Sequence, residues 1–391
     1  MSLRVLHCPS LVGGNPQGLA RAERELGLAS RTVVLRYNRR GYPVDETIFF
    51  GNRLRDTLAR RKFVRRMERE FDVVHYNFGS SVHAWRVDPT RSGRNLLAPL
   101  LWAYNLFIGS RLELSDLVRM KRAGKIICVT YQGNDARQGD VSRERYDLHA
   151  VHELEPDYYT QWSDRAKRER IRVFDRHADY IFALNPDLLG FLPERARFMA
   201  YAHVDPRERR PSPLRELPAE PLLVHAPTHR GGKGTKYVLA AFEKLKADGV
   251  PFRYELIENK SQEEVRRIFE RADLLIDQLL FGWYGGVAVE FMTLGKPAVC
   301  YLRDEDLTRL PVGMVEDLPL IRAEPDTIYT VLSDWLTNRR GDWAEQGKLS
   351  RRFVKKWHDP LKVAGELKKD YERAFAEKKK KVGLTGGPDT I

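Results

Sequence analysis

The chain has 391 residues, of which 42% are hydrophobic and 10% aromatic, so it can bury a substantial core and is neither disordered nor fibrous. This length predicts two domains, or at most three. The formal net charge of +13 favours phosphate-bearing ligands, nucleic acid or an anionic membrane surface as partners, and does not choose among them.

The three cysteines and the apolar runs indicate the compartment. Cys8, Cys128 and Cys300 are far apart, and the last two lie in strand-like runs, so we expect buried free thiols in a reducing environment. We expect no signal peptide, and the longest apolar patch, residues 96–108, is too short to span a bilayer. The expected location is cytoplasmic, with peripheral contact at the inner face of the membrane.

Short apolar runs recur through the first half of the chain, separated by helical patterns such as residues 19–28 and 164–177. Most runs are continuous rather than alternating, as expected of strands buried on both faces of a parallel sheet. The predicted strands cover residues 3–7, 32–37, 72–75, 126–131, 179–184 and 197–201. Residues 1–205 are therefore predicted to form a doubly wound α/β domain.

A proline-rich and charged stretch, residues 206–220, is typical of an interdomain linker. A second series of strands and helices then begins and predicts a second domain over residues 221–350. Its strands are expected at 222–226, 252–257, 273–278, 297–301 and 318–321, with helices at 236–247 and 262–271. The simplest α/β architecture has two Rossmann-like doubly wound domains facing each other across a cleft. Residues 377–391 are predicted to be a disordered basic tail.

The segment 277–302, DQLLFGWYGGVAVEFMTLGKPAVCYL, predicts a strand, a glycine-containing loop and a helix that starts near Gly286. Gly285 and Gly286 would leave backbone N–H groups free at the helix start, where phosphate binds readily. Glu290 lies one turn later and could accept hydrogen bonds from two ribose hydroxyls. The alternative is an ordinary strand–helix turn with a surface glutamate.

The segment 222–245, LLVHAPTHRGGKGTKYVLAAFEKL, carries Arg230 and Lys233 in a glycine-rich loop before a helix. Two cations at this place can neutralise a diphosphate. A P-loop is excluded, because Pro227 and Gly234 stand where that motif requires glycine and a hydroxyl residue. The alternative is a solvated basic loop.

These two segments resemble the C-terminal half of a GT-B glycosyltransferase, in particular the retaining family 4. The resemblance implies that Glu290 holds the nucleotide ribose and that Lys233, followed by Gly234, binds the donor diphosphate. The usual arginine position holds Thr228, so that role passes to Arg230.

The sequence departs from the family pattern at the first glutamate of its paired motif, which is Gly282 here. This leaves open how the hydroxyls of the donor sugar are held, and Asp277 and Tyr284 are the candidates to replace the glutamate.

The N-terminal half of the chain resembles the same family less specifically than the C-terminal half does. The loop with Gly13 and Gly14 is similar to the one that approaches the donor phosphates, and residues 178–206 resemble the segment that closes the first domain. In VTYQGNDARQGD, Gln132 occupies the position of the family histidine, while Gly133 and Asp135 fit. Residues 353–360 look like the element that crosses back, so a helix over 351–376 is expected to pack on the first domain. The resemblance spans residues 3–375.

Taken together, the resemblance implies a retaining, metal-independent glycosyltransferase with no cofactor. The expected partners are a nucleotide-diphosphate sugar donor and a glycan or lipid-linked acceptor, in the synthesis of cell-surface polysaccharide or glycoconjugates. The implied catalytic residues are Arg230, Lys233, Glu290 and Gln132. The implied donor-binding residues are Gly13, Gly14, Arg230, Lys233, Tyr284, Gly285, Gly286, Val287 and Glu290. The candidates on the acceptor and sugar side are His75, Gly133, Asp135 and Asp277.

Several interpretations stay open. His75 follows a strand on the presumed cleft side, and a structural histidine is an equal alternative. The basic run 53–69 with the apolar patch 96–108 could sit on anionic lipid, whereas the alternative is a solvated helix. No nucleic-acid reading module is present, so we expect no such partner. Asp304, Glu305 and Asp306 are expected in a solvated loop, without metal.

Two other functions remain open at this stage. A nucleotide-sugar 2-epimerase could use the same fold and ribose glutamate without an acceptor. A non-catalytic binding or scaffold protein is the other alternative, favoured by Gly282 and Gln132.

Overall fold

A computed structural model describes residues 2–10, 12–36, 41–84, 86–90, 95–211 and 217–385. Seven parallel strands form the first sheet, in the order β3-β2-β1-β4-β5-β6-β7. They are β1 Arg4–Cys8, β2 Ala29–Val34, β3 Glu46–Thr47, β4 Val73–Asn77, β5 Ile126–Tyr131, β6 Tyr180–Ala183 and β7 Arg197–Phe198. In the centre, Val5 is in register with Ser30 on one side and with Val73 on the other.

Five parallel strands form the second sheet, in the order β12-β11-β10-β8-β9. They are β8 Leu222–His225, β9 Arg253–Leu256, β10 Leu274–Ile276, β11 Ala298–Cys300 and β12 Ile321–Arg322. Most strands of both sheets are buried along their length, as their continuous apolar runs predict. The three cysteines are free and buried, as expected.

Helices connect the strands of both sheets. Those of the first half are α1 Asn15–Glu25, α2 Arg53–Glu70, α3 Ala98–Tyr104, α4 Ser110–Leu112, α5 Ser115–Arg122, α6 Gly139–Arg145 and α7 Gln161–His177. A π-helical turn, Asn105–Gly109, joins α3 to α4. Those of the second half are α8 Arg230–Lys233, α9 Thr235–Ala247, α10 Gln262–Arg271, α11 Gly286–Thr293, α12 Asp304–Leu307, α13 Ile328–Thr337, α14 Trp343–Trp357 and α15 Pro360–Thr385. Four apolar clusters lie against the two sheets.

The end of the chain returns to the first domain, as predicted. α14 packs on α11, and α15 then packs on α1 and β5. Leu367 and Tyr371 of α15 enter one apolar cluster together with Leu3 and Val5 at the start of the chain. The first domain is therefore completed by residues from both ends of the sequence.

The predicted disorder after residue 376 is wrong as far as Thr385, because α15 continues to that residue. The Nζ of Lys378 lies 2.8 Å from Oδ2 of Asp179, so a charge of the basic run has a partner on the first domain. Residues 386–391, and 212–216 of the predicted linker, lie outside the described residues. Within the described ranges no helix is long and apolar enough to cross a bilayer.

Candidate functional site

The strand order shows where a site can form. In open α/β sheets, ligands bind beyond the carboxyl ends of the strands, where the strand order reverses. The reversal lies between β1 and β4 in the first sheet and between β8 and β10 in the second. The loops after β1, β8 and β10, residues 9–14, 226–229 and 277–285, contain or adjoin most of the predicted donor residues.

A buried ion pair joins the loop regions that follow β8 and β10. The Nζ of Lys233, at the end of α8, lies 2.8 Å from Oδ1 of Asp277. The backbone N–H of Gly285 donates to the other carboxylate oxygen, Oδ2, at 2.5 Å. Both charged side chains are buried and therefore need partners of this kind. Asp277 thus fixes the ammonium group of Lys233 beside the start of α11.

This geometry corrects two expectations. Both carboxylate oxygens of Asp277 are used inside the protein, so a sugar-contacting role for this side chain is not supported. The backbone N–H of Gly285 already donates to Asp277, so it is not available to a phosphate. The amides of Gly286 and Val287, the first residues of α11, have no acceptor among the described residues. An anion at this helix start would meet two N–H donors and the ammonium of Lys233.

Glu290 lies one helical turn beyond Gly286, and its side chain is 34% exposed. It is flanked by a residue that the sequence analysis missed, His203, from the segment that follows β7. Nε2 of His203 lies 3.4 Å from Oε1 of Glu290 and 3.2 Å from the carbonyl oxygen of Gly286. His203 therefore ties the first domain to the first turn of α11. His203 lies in the segment 178–206 that resembles the end of the first domain, but nothing in the sequence distinguished it from its neighbours there.

Arg230 does not join Lys233 at the buried pair. Its guanidinium is exposed and forms a two-point ion pair with Glu258, Nε to Oε1 at 2.8 Å and Nη2 to Oε2 at 2.5 Å. This ion pair lowers the pKa of Glu258. The two predicted cations thus have separate carboxylate partners, and Lys233 alone of the two is held beside α11.

The glycine loop after β1 lies next to the same region. Gly13 and Gly14 have φ values of 65° and 71°, which favour glycine, and α1 starts immediately after them. Oδ1 of Asn15 accepts the N–H of Ala202 at 2.7 Å. A Cβ on Gly18 would lie 1.9 Å from the carbonyl oxygen of Ala202. The start of α1 is therefore packed directly against the segment that carries His203.

The loop after β5 is shaped by Asp135. Its Oδ1 accepts the N–H of Gln132 at 3.0 Å and that of Gly133 at 2.6 Å. Burial raises the pKa of Asp135 to about 6, against the opposing effect of these N–H donors. Nε2 of Gln132 is buried and has no hydrogen-bond partner in the part of the chain that the structure describes. This loop keeps its shape through a carboxylate that is close to titration at neutral pH.

A second residue that the sequence analysis missed, Arg137, follows this loop. Its Nε and Nη2 lie 2.6 and 3.1 Å from the carboxylate oxygens of Asp187, and its Cζ lies 4.6 Å from the ring centroid of Phe281. Burial opposes its charge, but Asp187 holds the pKa of Arg137 above its ordinary value. A buried cation of the first domain therefore faces the loop after β10.

His75 is structural. Nδ1 lies 2.8 Å from the hydroxyl of Tyr371, Nε2 lies 2.6 Å from Oγ1 of Thr130, and the ring is fully buried. Burial lowers the pKa of His75 well below its ordinary value. The expectation that its side chain contacts the acceptor is contradicted, because α15 covers it.

The structure also contradicts the expectation that the side chain of Tyr284 contacts the donor. It is fully buried, and its hydroxyl lies 2.8 Å from Nε2 of His358 at the turn before α15. Burial raises the pKa of Tyr284 well above its ordinary value.

The structure explains the glycine at position 282. Its φ is +79°, and a Cβ there would lie 2.8 Å from Nη1 of Arg303. Nη1 of Arg303 lies 2.8 Å from Oδ2 of Asp306, and Nη2 donates to the carbonyl of Leu148 in the first domain. A glutamate at position 282 would displace this contact between the domains. Asp306 is therefore buried, whereas Asp304 and Glu305 of the acidic triplet are exposed as expected, and all three lie in α12 rather than in a loop.

Within the described part of the chain, no three or more His, Cys, Asp or Glu side chains are grouped so that they could hold a metal ion.

Comparisons with known proteins bear on the fold. Neither a family model nor a curated protein sequence matches this chain. Among solved structures, sucrose-phosphate synthase from Thermosynechococcus elongatus is 12% identical, with a TM-score of 0.57 over 96% of this chain and 100% of that one. Anabaena HepE, solved with UDP-glucose, is 12% identical, with a TM-score of 0.57 over 95% and 100% of the two chains. The catalytic domain of starch synthase IV from Arabidopsis thaliana, bound to ADP and acarbose, has 11% identity and a TM-score of 0.53 over 96% and 100%. The chain therefore has the two-domain α/β fold of GT-B glycosyltransferases.

Proposed function

We propose that the protein is a retaining glycosyltransferase that moves a sugar from a nucleoside-diphosphate sugar to an acceptor hydroxyl without a metal ion. One observation carries this proposal. The ammonium of Lys233, fixed by Asp277, lies beside the amides of Gly286 and Val287, which no described residue accepts, and Glu290 follows one turn later on the same helix. An anion site followed by a carboxylate suits a diphosphate joined to a ribose.

The donor would therefore lie along the first turns of α11. Its diphosphate accepts hydrogen bonds from the amides of Gly286 and Val287, and its ribose hydroxyls donate to Glu290. Negative charge develops on the diphosphate as the sugar leaves, and donors already held in place stabilise that charge without reorganisation. His203 restricts Glu290 by its contact with Oε1. Lys233 is the principal cation of this site, and Arg230 remains a secondary candidate because it is engaged by Glu258.

The acceptor would enter from the first domain, beside the loop that contains Gln132, Gly133 and Asp135. The bond between the anomeric carbon and the phosphate oxygen breaks, and a bond to the acceptor oxygen forms on the same face of the sugar. The acceptor proton passes to the departing phosphate oxygen, so no side-chain nucleophile is required. Retention of configuration rests on the resemblance of the two glycine-loop segments to family 4.

We propose a glycan or lipid-linked acceptor and a role in cell-surface polysaccharide or glycoconjugate synthesis, on the cytoplasmic side of the membrane. UDP-glucose is bound by Anabaena HepE and ADP by starch synthase IV. Their presence on the same fold supports a nucleotide donor here and leaves its base open.

The first experiment is a thermal-shift and calorimetry panel with UDP, GDP, ADP, dTDP and their sugar conjugates, with and without EDTA. A selective, EDTA-insensitive ligand is expected, because binding to the folded state raises the melting temperature. Glu290→Gln should weaken its affinity at least about tenfold through the lost charge-assisted hydrogen bonds. Glu263→Gln, on the exposed face of α10, is the matched control. Unchanged affinity in Glu290→Gln would overturn the ribose assignment.

The reaction type needs a second measurement. Incubation of the selected donor with and without candidate acceptors separates transfer from epimerisation, because an epimerase changes the sugar when no acceptor is present. NMR of the product reports the anomeric configuration. An inverted anomeric centre would contradict the retaining assignment.

A further inference from the structure

A basic groove lies where the chain passes between the two domains in both directions. It has a volume of about 930 Å³ and is bounded by the start of the linker, the turn after α11, α14 and the start of α15. Of its twelve lining residues, seven are Arg or Lys and one, Asp359, is acidic. A concave surface with this excess of positive charge attracts anions. We call it the basic groove.

The basic groove is separate from the site at the start of α11. Gly295, on its floor, lies between the end of α11 and the start of β11, at the amino end of that strand. The residues assigned to the donor lie beyond the carboxyl ends of the strands, and Lys233, Gly286 and Glu290 do not line the groove. An anion bound in the groove would therefore occupy a second site.

Close packing fixes the shape of the groove. A Cβ on Gly347 would lie 2.1 Å from the carbonyl oxygen of Gly295, so α14 contacts the turn after α11 through backbone atoms. The guanidinium of Arg351 donates to three backbone carbonyl oxygens, those of Thr293, Pro206 and Arg209. It thus joins α14 to the end of α11 and to the start of the linker. The groove is part of the packed fold.

α14 gathers positive charge along the groove. Five cations of the helix line it, and they recur at spacings of three and four residues: Lys348, Arg351, Arg352, Lys355 and Lys356. Like charges at these spacings destabilise a helix. In the part of the chain that the structure describes, only Lys348 and Lys356 have carboxylate partners, Glu345 and Asp317. The helix therefore keeps a repulsion that an anion in the groove would relieve.

Four cations of the groove carry charge that no described carboxylate neutralises. Arg351 is partly buried and has only carbonyl oxygens as acceptors, and burial lowers its pKa. Lys362, in the first turn of α15, donates to the carbonyl oxygen of Lys355 at 3.1 Å. Arg352 and Lys355 are exposed, and no acceptor for either side chain lies among the described residues. A guanidinium that is partly removed from water without a counter-ion destabilises the fold, and a bound anion offsets that cost.

The size and the donors of the groove indicate the kind of ligand. Its volume falls in the range of small-ligand sites, roughly 300–1,000 Å³. Arginine forks and lysine ammonium groups are the side chains that bind phosphate. One phosphate group carries about two negative charges, so four unneutralised cations require a ligand with several. None of the described lining residues is aromatic, as stacking with the bases of a nucleic acid would require.

We propose that the basic groove binds a small soluble polyphosphate, a ligand with two or more phosphate groups, at a site separate from that of the donor. The phosphates lie between α14 and the start of α15 and accept hydrogen bonds from Arg352, Lys355 and Lys362. Arg351 lies behind them, and Pro206 and Pro211 form part of the wall.

Site-resolved lysine labelling tests the proposal on the full chain. A brief pulse of acetic anhydride is applied with inorganic tripolyphosphate or with sodium chloride of the same ionic strength, and mass spectrometry reports each lysine. At a tripolyphosphate concentration about ten times its Kd, acetylation of Lys355 and Lys362 should slow about tenfold by mass action. Lys244 and Lys246, exposed on α9, are the controls and should react at the same rate in both salts.

A double variant tests which side chains hold the anion. Arg352→Gln with Lys355→Gln should require at least about tenfold more tripolyphosphate to protect Lys362, because charge-assisted hydrogen bonds are lost. Lys244→Gln with Lys246→Gln removes the same charge on α9 and should leave the protection of Lys362 unchanged. The melting temperature of both variants should stay at that of the parent, because all four side chains are exposed.

Three results would overturn the proposal. One is no protection of Lys355 and Lys362 by tripolyphosphate. Another is equal protection of Lys244 and Lys246, which would show attraction by net charge alone. The third is equal protection of Lys362 in the double variant and in the parent. The labelling pattern does not depend on the donor, so a failure of the proposed function would leave this test intact.

Discussion

Each of the two domains buries a polar network, and the two networks differ in what covers them. In the first domain, Glu23, His75 and Tyr371 form a network that α15 seals from solvent. In the second, Lys233 and Asp277 are equally well paired, but the residues beside them, at the start of α11, are partly exposed. A buried titratable group is therefore structural where a helix covers it, and available to a ligand where the cleft lies over it.

The first network satisfies both carboxylate oxygens of Glu23. Nε2 of His7 lies 2.9 Å from Oε2 of Glu23, which also accepts the hydroxyl of Ser30 at 2.6 Å. The hydroxyl of Tyr371 donates to Oε1 at 3.1 Å. Every oxygen of the carboxylate is thus used inside the domain, and none is left for a substrate.

The largest effect is expected for Lys233→Met. It removes the cation beside the diphosphate site and leaves Asp277 charged and buried. Breaking a buried pair costs about 3–5 kcal/mol of unfolding free energy, and loss of one preorganised donor lowers kcat by about 100-fold or more. Urea unfolding and steady-state kinetics measure the two effects.

A double variant separates these two roles of Lys233. Lys233→Met with Asp277→Asn should recover most of the stability, because no unpaired charge remains, and should not recover turnover. Recovery of both together would show that the pair is only structural.

Asp135 connects stability to pH. Its pKa of about 6 in the folded protein lies above the ordinary 3.8, so the folded state holds a proton that the unfolded state has released. The free energy of unfolding should therefore fall as pH rises from about 4 to about 6, by up to about 3 kcal/mol from this group. Asp135→Asn should flatten that part of the profile. The free energy of unfolding is measured in urea at each pH for both proteins. The same dependence on pH in the variant and the parent would contradict the assignment.

Tyr371→Phe tests the sealed network. It deletes the hydroxyl shared by Glu23 and His75 while preserving the ring, and leaves both buried groups short of a partner. We expect a loss of about 1–3 kcal/mol of unfolding free energy. Nucleotide affinity should stay within about twofold, because the network does not reach the cleft. A large loss of affinity without destabilisation would place it in the binding machinery.

Arg230→Gln should have the smallest effect. Its ion pair with Glu258 is exposed, and such pairs contribute little to stability. The unfolding midpoint should not change, and calorimetry should show donor affinity far closer to the parent than in Lys233→Met. Equal losses in the two variants would mean that donor binding opens the pair with Glu258 and recruits the guanidinium.

Much of the fold was accessible from sequence, because strands buried on both faces are continuous apolar runs. β5 and α10 were predicted to the residue. β3 was missed because its two residues, Glu46 and Thr47, are polar and lie at the sheet edge. The helical end of α15 was missed because a lysine run resembles a disordered tail until Asp179, 199 residues away, supplies a partner for Lys378.

The sequence could predict the site residues only where a short motif of neighbouring residues marks them. Lys233 and Glu290 lie in short patterns of strand, glycine loop and helix, and the structure places Lys233 beside the start of the helix that carries Glu290. The sequence could not decide between an acceptor contact and a structural role for His75, because its partner, Tyr371, is 296 residues away. Arg137 and His203 were missed because each depends on contacts between distant segments. Pairing across the chain, rather than residue type, decides which polar groups face the cleft.

The return of α15 to the first domain has a consequence for synthesis on the ribosome. Leu3 and Val5 are synthesised long before Leu367 and Tyr371, which complete their core. The first domain therefore cannot finish folding before the second, although N-terminal domains usually fold first during synthesis. We expect nascent chains that end before residue 360 to remain protease-sensitive in their first domain, and this sensitivity to disappear once α15 has left the ribosome.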